Sequence, residues 1–189
     1  MSEILGLLQF LREAERLKSV YRTSWTSSGQ QESVASHTWR LSLMALVFEP
    51  FFPAIDIGRL LKICIVHDLG EAIGGDIPAT AQHDRHPKAA QERHDLLLLL
   101  EPLPESIKQE ILALWDEYEA AHSPEARIAK ALDKLETILQ HNQGANPPDF
   151  DYAFNLQYGK KFTDMVPLIA TIRSIVDSET EQKAAQAGR

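Results

Sequence analysis

The stretch 60–71, which reads LLKICIVHDLGE, is the feature that most constrains this chain. Apolar residues fill all but one of its first seven positions, and His67, Asp68 and Glu71 follow. A helix this apolar is expected to be buried on nearly all sides. A buried aspartate is costly unless it is paired with a cation or bound to a metal ion. We therefore interpret the end of this helix as part of a site for a divalent metal.

Composition and charge narrow the class of protein. The chain has 189 residues, of which 44% are hydrophobic, and this suits one domain with a sizeable core. The formal net charge of −8 argues against a nucleic acid polymer as partner, because such partners bind basic surfaces. A small anionic substrate remains compatible, since a metal ion and one or two arginines can reverse the field locally.

The sequence also predicts a cytoplasmic protein without a membrane partner. Its single cysteine, Cys64, has no partner for an intramolecular disulfide and is expected to pack in the core rather than to act as a nucleophile. The first six residues lack the basic start of a signal peptide. No apolar run is long enough to span a bilayer.

Apolar spacing predicts an all-α fold of about six or seven helices in a single domain. Apolar residues recur at intervals of three and four along most of the chain, as in helices, and no sustained alternation typical of strands is visible. Residues 18–31 read as an irregular connection. The predicted domain covers residues 1–178, and residues 179–189 form a polar tail that is expected to fray.

Several local details follow from the same patterns. The helix that contains stretch 60–71 is expected to continue to about Gly74 or Gly75. Trp39 and Trp115 are expected in the core. Residues at three helix starts can accept hydrogen bonds from free backbone amides. These predicted caps are Ser33 (or Ser36), Asp56 and Ser123.

Four side chains on different predicted helices are candidate ligands of one ion. His67 and Asp68 can lean into one groove, and Glu71 shares their helix face. His37 lies near the start of another core helix, and Asp133 stands in a mostly apolar helix where an acid needs a partner. Two histidines and two aspartates suit Mn, Fe, Co, Ni or Zn, because Mg rarely takes imidazole nitrogen. Taken singly, His37 could instead be a hydrogen-bonded core residue and Asp133 a solvated acid.

This constellation, His37, His67-Asp68 and Asp133 on successive helices, resembles the HD-domain metal-dependent phosphohydrolases. Four segments extend the resemblance to the 5′-deoxynucleotidase branch of that family, over about residues 17–162. They read LKSVYRTSW at 17–25, ESVASH at 32–37, HDLGEAIGGDI at 67–77 and LWDEYE at 114–119. Jointly these motifs are specific, whereas an isolated His-Asp pair is not.

The resemblance implies an HD-domain helical bundle that hydrolyses deoxynucleoside 5′-monophosphates to a deoxynucleoside and phosphate. It implies that the metal ion is held by four residues, namely His37, His67, Asp68 and Asp133. Such an ion lowers the pKa of water enough to make it a nucleophile near neutral pH. Glu71 would orient or deprotonate the attacking water.

The resemblance further implies substrate contacts, a second ion and a homodimer. Arg22 would clamp the phosphate with its planar guanidinium, and Trp25 would pack on the sugar and exclude a 2′-hydroxyl. Asp76 would contact the sugar hydroxyl. A second ion, for example Mg, would bind Glu71, Asp76 and the carbonyl of Ile77, so Glu71 and Asp76 have two competing roles. From the residues alone, Trp25 could be plain core and Arg22 could pair with a surface acid.

Three alternative functions stay open at this point. The first is another phosphohydrolase, such as a phosphodiesterase or a guanosine tetraphosphate hydrolase, whose larger substrate would need an additional basic site. No cluster of Lys and Arg is visible near the motifs. The second is a non-catalytic nucleotide-binding protein that keeps the ligands. The third is an HD-type di-iron oxygenase, which would need extra ligands among His83, His86 and His94, although their charged surroundings favour surface positions.

Overall fold

Helices dominate the part of the chain that the computed structural model describes, residues 2–78 and 88–187. They are, in chain order, α1 (Ser2–Ala14), α2 (Val34–Phe48), α3 (Ile57–Val66), α4 (Glu71–Gly74), α5 (Lys88–Leu99), α6 (Glu105–Ala120), α7 (Pro124–Gln143), α8 (Tyr152–Asn155), α9 (Lys160–Thr163) and α10 (Pro167–Ala187). Seven of these have ten residues or more, which confirms the all-α class and the expected number of main helices.

Residues 21–33 form a small β-hairpin, where the sequence predicts an irregular connection over residues 18–31. Strand β1 (Tyr21–Trp25) pairs antiparallel with strand β2 (Gln31–Ser33). Strands of five and three residues are too short to show the alternation from which strands are predicted. The hairpin matters for function because β1 carries Arg22 and Trp25.

Helix α7 lies at the centre of the fold and packs against α2, α3, α6 and α10. It begins as predicted, since the Ser123 side chain accepts a hydrogen bond from the amide of Ala126 and Pro124 occupies the first turn. Most of its side chains are buried. Asp133 stands in the middle of this helix, so the packed core fixes its position.

Helix α3 ends earlier than predicted, at Val66, and residues 67–70 form a turn before α4. At this turn α5 comes so close that a Cβ on Gly70 would lie 2.4 Å from the carbonyl oxygen of Glu92. This contact is made between segments that are distant in the sequence. The spacing of apolar residues along α3 therefore cannot predict it. The helix is not buried on all sides either, because Ile65 is 54% exposed.

The last helix, α10, runs through Ala187 without a break, whereas a fraying tail is expected after residue 178. The reason is a buried contact beyond that point, in which the side-chain amide of Asn142 donates to Oγ1 of Thr180 at 3.0 Å. The division of the chain at residue 178 stays a prediction.

Two of the long helices expose rows of apolar side chains. The exposed members are Ile4, Leu5, Leu8 and Leu11 in α1 and Trp39, Leu43, Leu46 and Val47 in α2. The expectation that Trp39 lies in the core is therefore wrong, since it is 66% exposed, whereas Trp115 is buried as predicted. No helix within residues 2–78 and 88–187 combines the length and the apolar character needed to cross a bilayer.

Candidate metal centre

The four predicted metal ligands come from three segments and meet in one place. His37 lies in the first turn of α2, His67 and Asp68 follow α3, and Asp133 belongs to α7. Donor atoms of His37, His67 and Asp133 all lie within 4.8 Å of one another. Oδ2 of Asp68 lies 3.0 Å from Nε2 of His67 and 3.8 Å from Nε2 of His37. Together they offer two nitrogen and two oxygen donors to one ion.

Both imidazole rings are oriented by hydrogen bonds at Nδ1. With tautomers assigned from the acceptors, His67 donates to the carbonyl oxygen of Cys64 at 2.7 Å and His37 donates to Glu136. Each Nε2 atom is buried and has no hydrogen-bond partner among the residues that the structure describes. Unpaired buried polar atoms are costly, and a hydrogen bond at the other ring nitrogen is usual for metal-binding histidines. These residues therefore fit a metal ion at the two Nε2 atoms.

The charges around His37 favour positive charge at its ring. Burial and the nearby Arg22 lower the pKa of His37, but Glu136 and Asp133 outweigh both and raise it to about 10. A metal ion at Nε2 would replace the proton that these carboxylates otherwise attract.

Asp133 is held so that one carboxylate oxygen faces the histidines. The Tyr118 hydroxyl donates to Oδ2 at 2.6 Å, and Nζ of Lys134 lies 2.8 Å from the same oxygen. Oδ1 lies 3.3 Å from Nε2 of His37. Burial opposes the charge, but Lys134 and the histidines hold the pKa of Asp133 well below its usual range. Asp133 is therefore an anionic donor at neutral pH.

Glu136 is a further residue of this centre that the sequence patterns do not identify. It is fully buried in α7, accepts the hydrogen bond from His37, and receives Nε of Arg40 at 2.6 Å. The one available signal is its spacing of three residues from Asp133, which puts both acids on one helix face.

Arg22 reaches the same centre from β1. Its Nη1 lies 3.7 Å from Oδ2 of Asp68, and its Nη2 donates to Oγ1 of Thr137 at 2.9 Å. Its Nε lies 3.4 Å from Oε2 of Glu32, which is buried. The acids that face Arg22 are thus in the interior of the protein, and the guanidinium brings a fixed positive charge next to the predicted ligands.

Glu71 opens α4 and is almost completely buried. Its Oε1 lies 3.4 Å from Nζ of Lys88, while Oε2 has no hydrogen-bond partner within the described parts of the chain. Burial, Asp68 and Asp76 raise the pKa of Glu71 to about 9, and Lys88 opposes them. Oε2 is the atom available to accept a hydrogen bond from a water molecule.

One cavity of about 1040 Å³ is lined by five of these side chains, namely Arg22, His67, Asp68, Glu71 and Asp133, together with Trp25, Asp76 and Ile77. His37 and Glu136 are not among its lining residues. Trp25 is half-buried on its wall. Four lysines also line it, namely Lys88, Lys130, Lys134 and Lys161. Three of these lysines pair with acids that line the same cavity, namely Lys88 with Glu92, Lys130 with Glu119 and Lys134 with Asp133. These ion pairs join side chains that meet only in the folded chain.

Of the extra histidines considered for a di-iron site, one lies in the part of the chain that the structure describes. His94 is exposed on α5. His83 and His86 lie outside the described residues.

Comparison with known proteins identifies relatives along most of the chain. A family model described as HD domain matches residues 14–173. The 5′-deoxynucleotidase HDDC2 proteins of Danio rerio and Homo sapiens are each 37% identical over 140 residues, which is 73% of this chain and 69% and 68% of theirs. The 5′-deoxynucleotidase hdd1 of Schizosaccharomyces pombe is 35% identical over 142 residues, covering 72% of this chain and 71% of that one.

Solved structures agree with this relationship. A predicted metal-dependent phosphohydrolase from Magnetospirillum magnetotacticum superposes with a TM-score of 0.79 at 27% identity, covering 96% of this chain and 94% of that one. A conserved hypothetical protein from Pyrococcus furiosus superposes with a TM-score of 0.59 at 32% identity, over 70% and 81% of the two chains. The chain therefore belongs to the HD-domain family and, within it, to the group of the HDDC2-type 5′-deoxynucleotidases.

Proposed function

We propose that this protein is a metal-dependent 5′-deoxynucleotidase. Water attacks the phosphorus of a deoxynucleoside 5′-monophosphate, the bond from phosphorus to the 5′-oxygen breaks, and a deoxynucleoside and inorganic phosphate leave. The observation that carries this proposal is the convergence of two partnerless Nε2 atoms, two aspartates and Arg22 in one place. All of these residues except His37 also line one cavity. The relatives are named for the same activity, which supports the proposal.

The metal ion would be held by four residues, namely His37, His67, Asp68 and Asp133. Their mixture of imidazole and carboxylate donors suits Mn, Fe, Co, Ni or Zn. When bound, such an ion supplies Lewis acidity toward water and toward the phosphoryl oxygens.

The remaining cavity residues bind the substrate and position the water. Oε2 of Glu71 accepts a hydrogen bond from the attacking water and, in the ionised state of the carboxylate, takes its proton. Arg22 binds phosphoryl oxygens and stabilises the charge that develops on them. Trp25 packs on the deoxyribose, where its bulk disfavours a 2′-hydroxyl, and Asp76 accepts a hydrogen bond from the sugar hydroxyl.

The base has an aromatic wall to pack against. Phe150, Phe154, Tyr158 and Phe162 line the same cavity as Trp25. Stacking on aromatic rings tolerates every base, because each base has a π-face. We therefore expect turnover of purine and pyrimidine deoxynucleotides alike.

The direct test is phosphate release from deoxynucleoside 5′-monophosphates in the presence of Mn²⁺ or Co²⁺. Glu71→Ala is expected to lower kcat by at least about 100-fold, as is typical when a proton-transfer group is removed. Asp68→Ala removes one of the four proposed metal ligands and is expected to cause a loss at least as large. Glu181→Gln, at an exposed position of α10, is the matched control and should keep full activity. Unchanged phosphate release by the Asp68 and Glu71 variants would overturn the assignment.

A second candidate is hydrolysis of a larger phosphorylated nucleotide, as by a phosphodiesterase or a guanosine tetraphosphate hydrolase. The size of the cavity, about 1040 Å³, is the observation that favours this alternative. A substrate panel separates the two, since the second candidate predicts that cyclic dinucleotides or guanosine tetraphosphate are turned over with a higher kcat/KM than deoxynucleoside monophosphates.

We also propose that the protein is a homodimer. The exposed apolar rows of α1 and α2 give a second copy of the chain a surface to bury. Light scattering coupled to size-exclusion chromatography should give twice the chain mass of 21.2 kDa. The charge introduced by Trp39→Glu should then shift the population to monomers, and a wild-type protein of one chain mass would contradict the proposal.

A cytoplasmic location is the last part of this proposal. Cys64 is buried and forms no disulfide, which suits a reducing compartment. Fractionation of cells that make a tagged protein tests this, and recovery of the protein in an exported fraction would count against it.

A further inference from the structure

Lys88, at the start of α5, lies among three carboxylates from separate segments. Its Nζ is 3.4 Å from Oε1 of Glu71, 3.9 Å from Oδ1 of Asp76 and 3.1 Å from Oε1 of Glu92. The lysine side chain itself is 28% exposed, so this ammonium group is partly screened from solvent. Among the described residues, Lys88 is thus the cation that pairs with all three of these acids.

This ammonium group lies beside two of the residues that sequence resemblance assigns to a second metal ion. Glu71 and Asp76 are the two side chains expected to bind that ion. Carboxylates that stand this close and this deeply in the protein repel one another and need a cation. Here the chain supplies that cation itself.

Lys88 also distinguishes the two oxygens of Glu71. It engages Oε1, which leaves the buried Oε2 as the oxygen without a partner. An anchored carboxylate with one oxygen engaged is oriented, because rotation would break the contact with the ammonium group. The oxygen proposed to accept the hydrogen bond from water is therefore held in place from α5.

We propose that Lys88 is a positioning residue whose ammonium group takes the place of a second divalent ion, neutralising Glu71, Asp76 and Glu92 and orienting Glu71. The enzyme then needs one divalent ion per chain. The part of this inference that concerns turnover rests on the proposed function, whereas the part that concerns cation binding does not.

The first test measures metal stoichiometry, by calorimetric titration with Mn²⁺ and by elemental analysis after dialysis. Wild-type protein is expected to bind one ion per chain, and Lys88→Met is expected to bind a second, weaker ion. Lys62→Met is the matched control, since Lys62 is exposed on α3 and pairs only with Glu110 in the described structure; it should bind one ion. Two ions in the wild-type protein, or one ion in a folded Lys88→Met variant, would overturn the inference.

The second test concerns catalysis. Lys88→Met is expected to lower kcat by about 10- to 100-fold, with little change in KM. Losses of this size are typical when a residue that orients an active-site side chain is replaced. Millimolar Mg²⁺ should restore most of this loss, and Lys88→Arg should retain most of the activity without Mg²⁺. A loss that Mg²⁺ does not reduce would contradict the proposed role.

These readouts remain decisive if one variant or one assumption fails. If Lys88→Met does not fold, the inference is tested on the wild-type and Lys88→Arg proteins. Both keep a positive charge at residue 88, so each must bind one divalent ion per chain. Should no nucleotide be hydrolysed, the proposed function fails, while the titrations still show whether Lys88 excludes a second ion.

Discussion

At the scale of single residues, Glu136 shows how a buried acid can serve a metal centre without touching the ion. It holds Nδ1 of His37 and pairs with Arg40. Replacing it with Gln keeps the shape of the side chain but removes the charge that makes His37 a stronger donor. We expect Glu136→Gln to weaken Mn²⁺ binding by about 10- to 100-fold, as measured by calorimetric titration.

The exposed acid Glu181 provides the comparison, because Glu181→Gln removes the same charge far from the centre. It should leave Mn²⁺ affinity unchanged. If Glu136→Gln bound Mn²⁺ as tightly as the wild-type protein, the orientation of His37 would not depend on this carboxylate.

The residues of the metal centre also show which site residues can be predicted from the sequence and which cannot. His67, Asp68 and Asp133 stand out because a charged or titratable group within an apolar helix needs an explanation. Glu136 does not stand out, since an acid that points into the core and an acid that points into water look alike in a sequence. Glu136 is identified as a buried acid only in the folded chain, where α2 packs against α7 and brings His37 and Arg40 to it.

At the scale of secondary-structure elements, the N-cap of α7 can be tested directly. The Ser123 side chain accepts a hydrogen bond from the amide of Ala126. Ser123→Ala removes this bond and should lower the free energy of unfolding by about 1 kcal/mol, measured by urea denaturation. Ser123→Asn can still cap the helix and should recover most of the loss; equal losses in both variants would contradict the capping role.

The contact between α7 and β1 gives another prediction at this scale. A Cβ on Gly144, the residue after α7, would lie 2.3 Å from the carbonyl oxygen of Trp25. Gly144→Ala must therefore displace the end of β1, and we expect a loss of about 1–3 kcal/mol in stability together with a raised KM for the deoxynucleotide. Both changes are measured on the same preparation, by urea denaturation and steady-state kinetics.

Gly58→Ala is the matched control for KM, because Gly58 lies in α3 and is not among the residues that line the cavity. Its Cβ would lie 3.3 Å from Oδ1 of Asp56, the oxygen that caps α3. Gly58→Ala should leave KM unchanged, whatever its effect on stability. A Gly144→Ala variant with wild-type stability and KM would show that β1 is not fixed by this contact.

Elements whose signals are local are the ones that the sequence predicts well. The caps Ser33, Asp56 and Ser123 depend on neighbours within three residues, and all three occur as expected. The early end of α3 and the hairpin depend on contacts with distant segments. The same holds for the continuation of α10, whose packing requires Asn142 from α7.

At the scale of the whole molecule, the cavity is the feature that cannot be predicted from any single stretch of the sequence, because its lining comes from many segments. Its lysines come from three helices, and its aromatic wall comes from residues after α7. The ligand motifs are visible in the sequence because each is short, whereas the ion pairs around the site form only once the chain folds. The charge of −8 for the whole chain accordingly says little about the field inside the site.

The same arrangement links metal binding to global stability, which is the last prediction. The four predicted ligands belong to α2, the turn after α3, and α7, so unfolding would separate them. An ion that binds only the folded chain stabilises it by about 2.7 kcal/mol at a concentration of 100 times its Kd. For a chain of this length that corresponds to a rise in Tm of roughly 5–10 °C.

Differential scanning calorimetry with saturating Mn²⁺ against EDTA measures this shift. Asp133→Asn should abolish it, because the neutral amide is a weaker donor while the size of the side chain is kept. The exposed variant Glu181→Gln should show the wild-type shift. If wild-type protein melted at one temperature in both conditions, the convergence of these ligands would not be a metal site, since binding to the folded chain alone must raise its Tm.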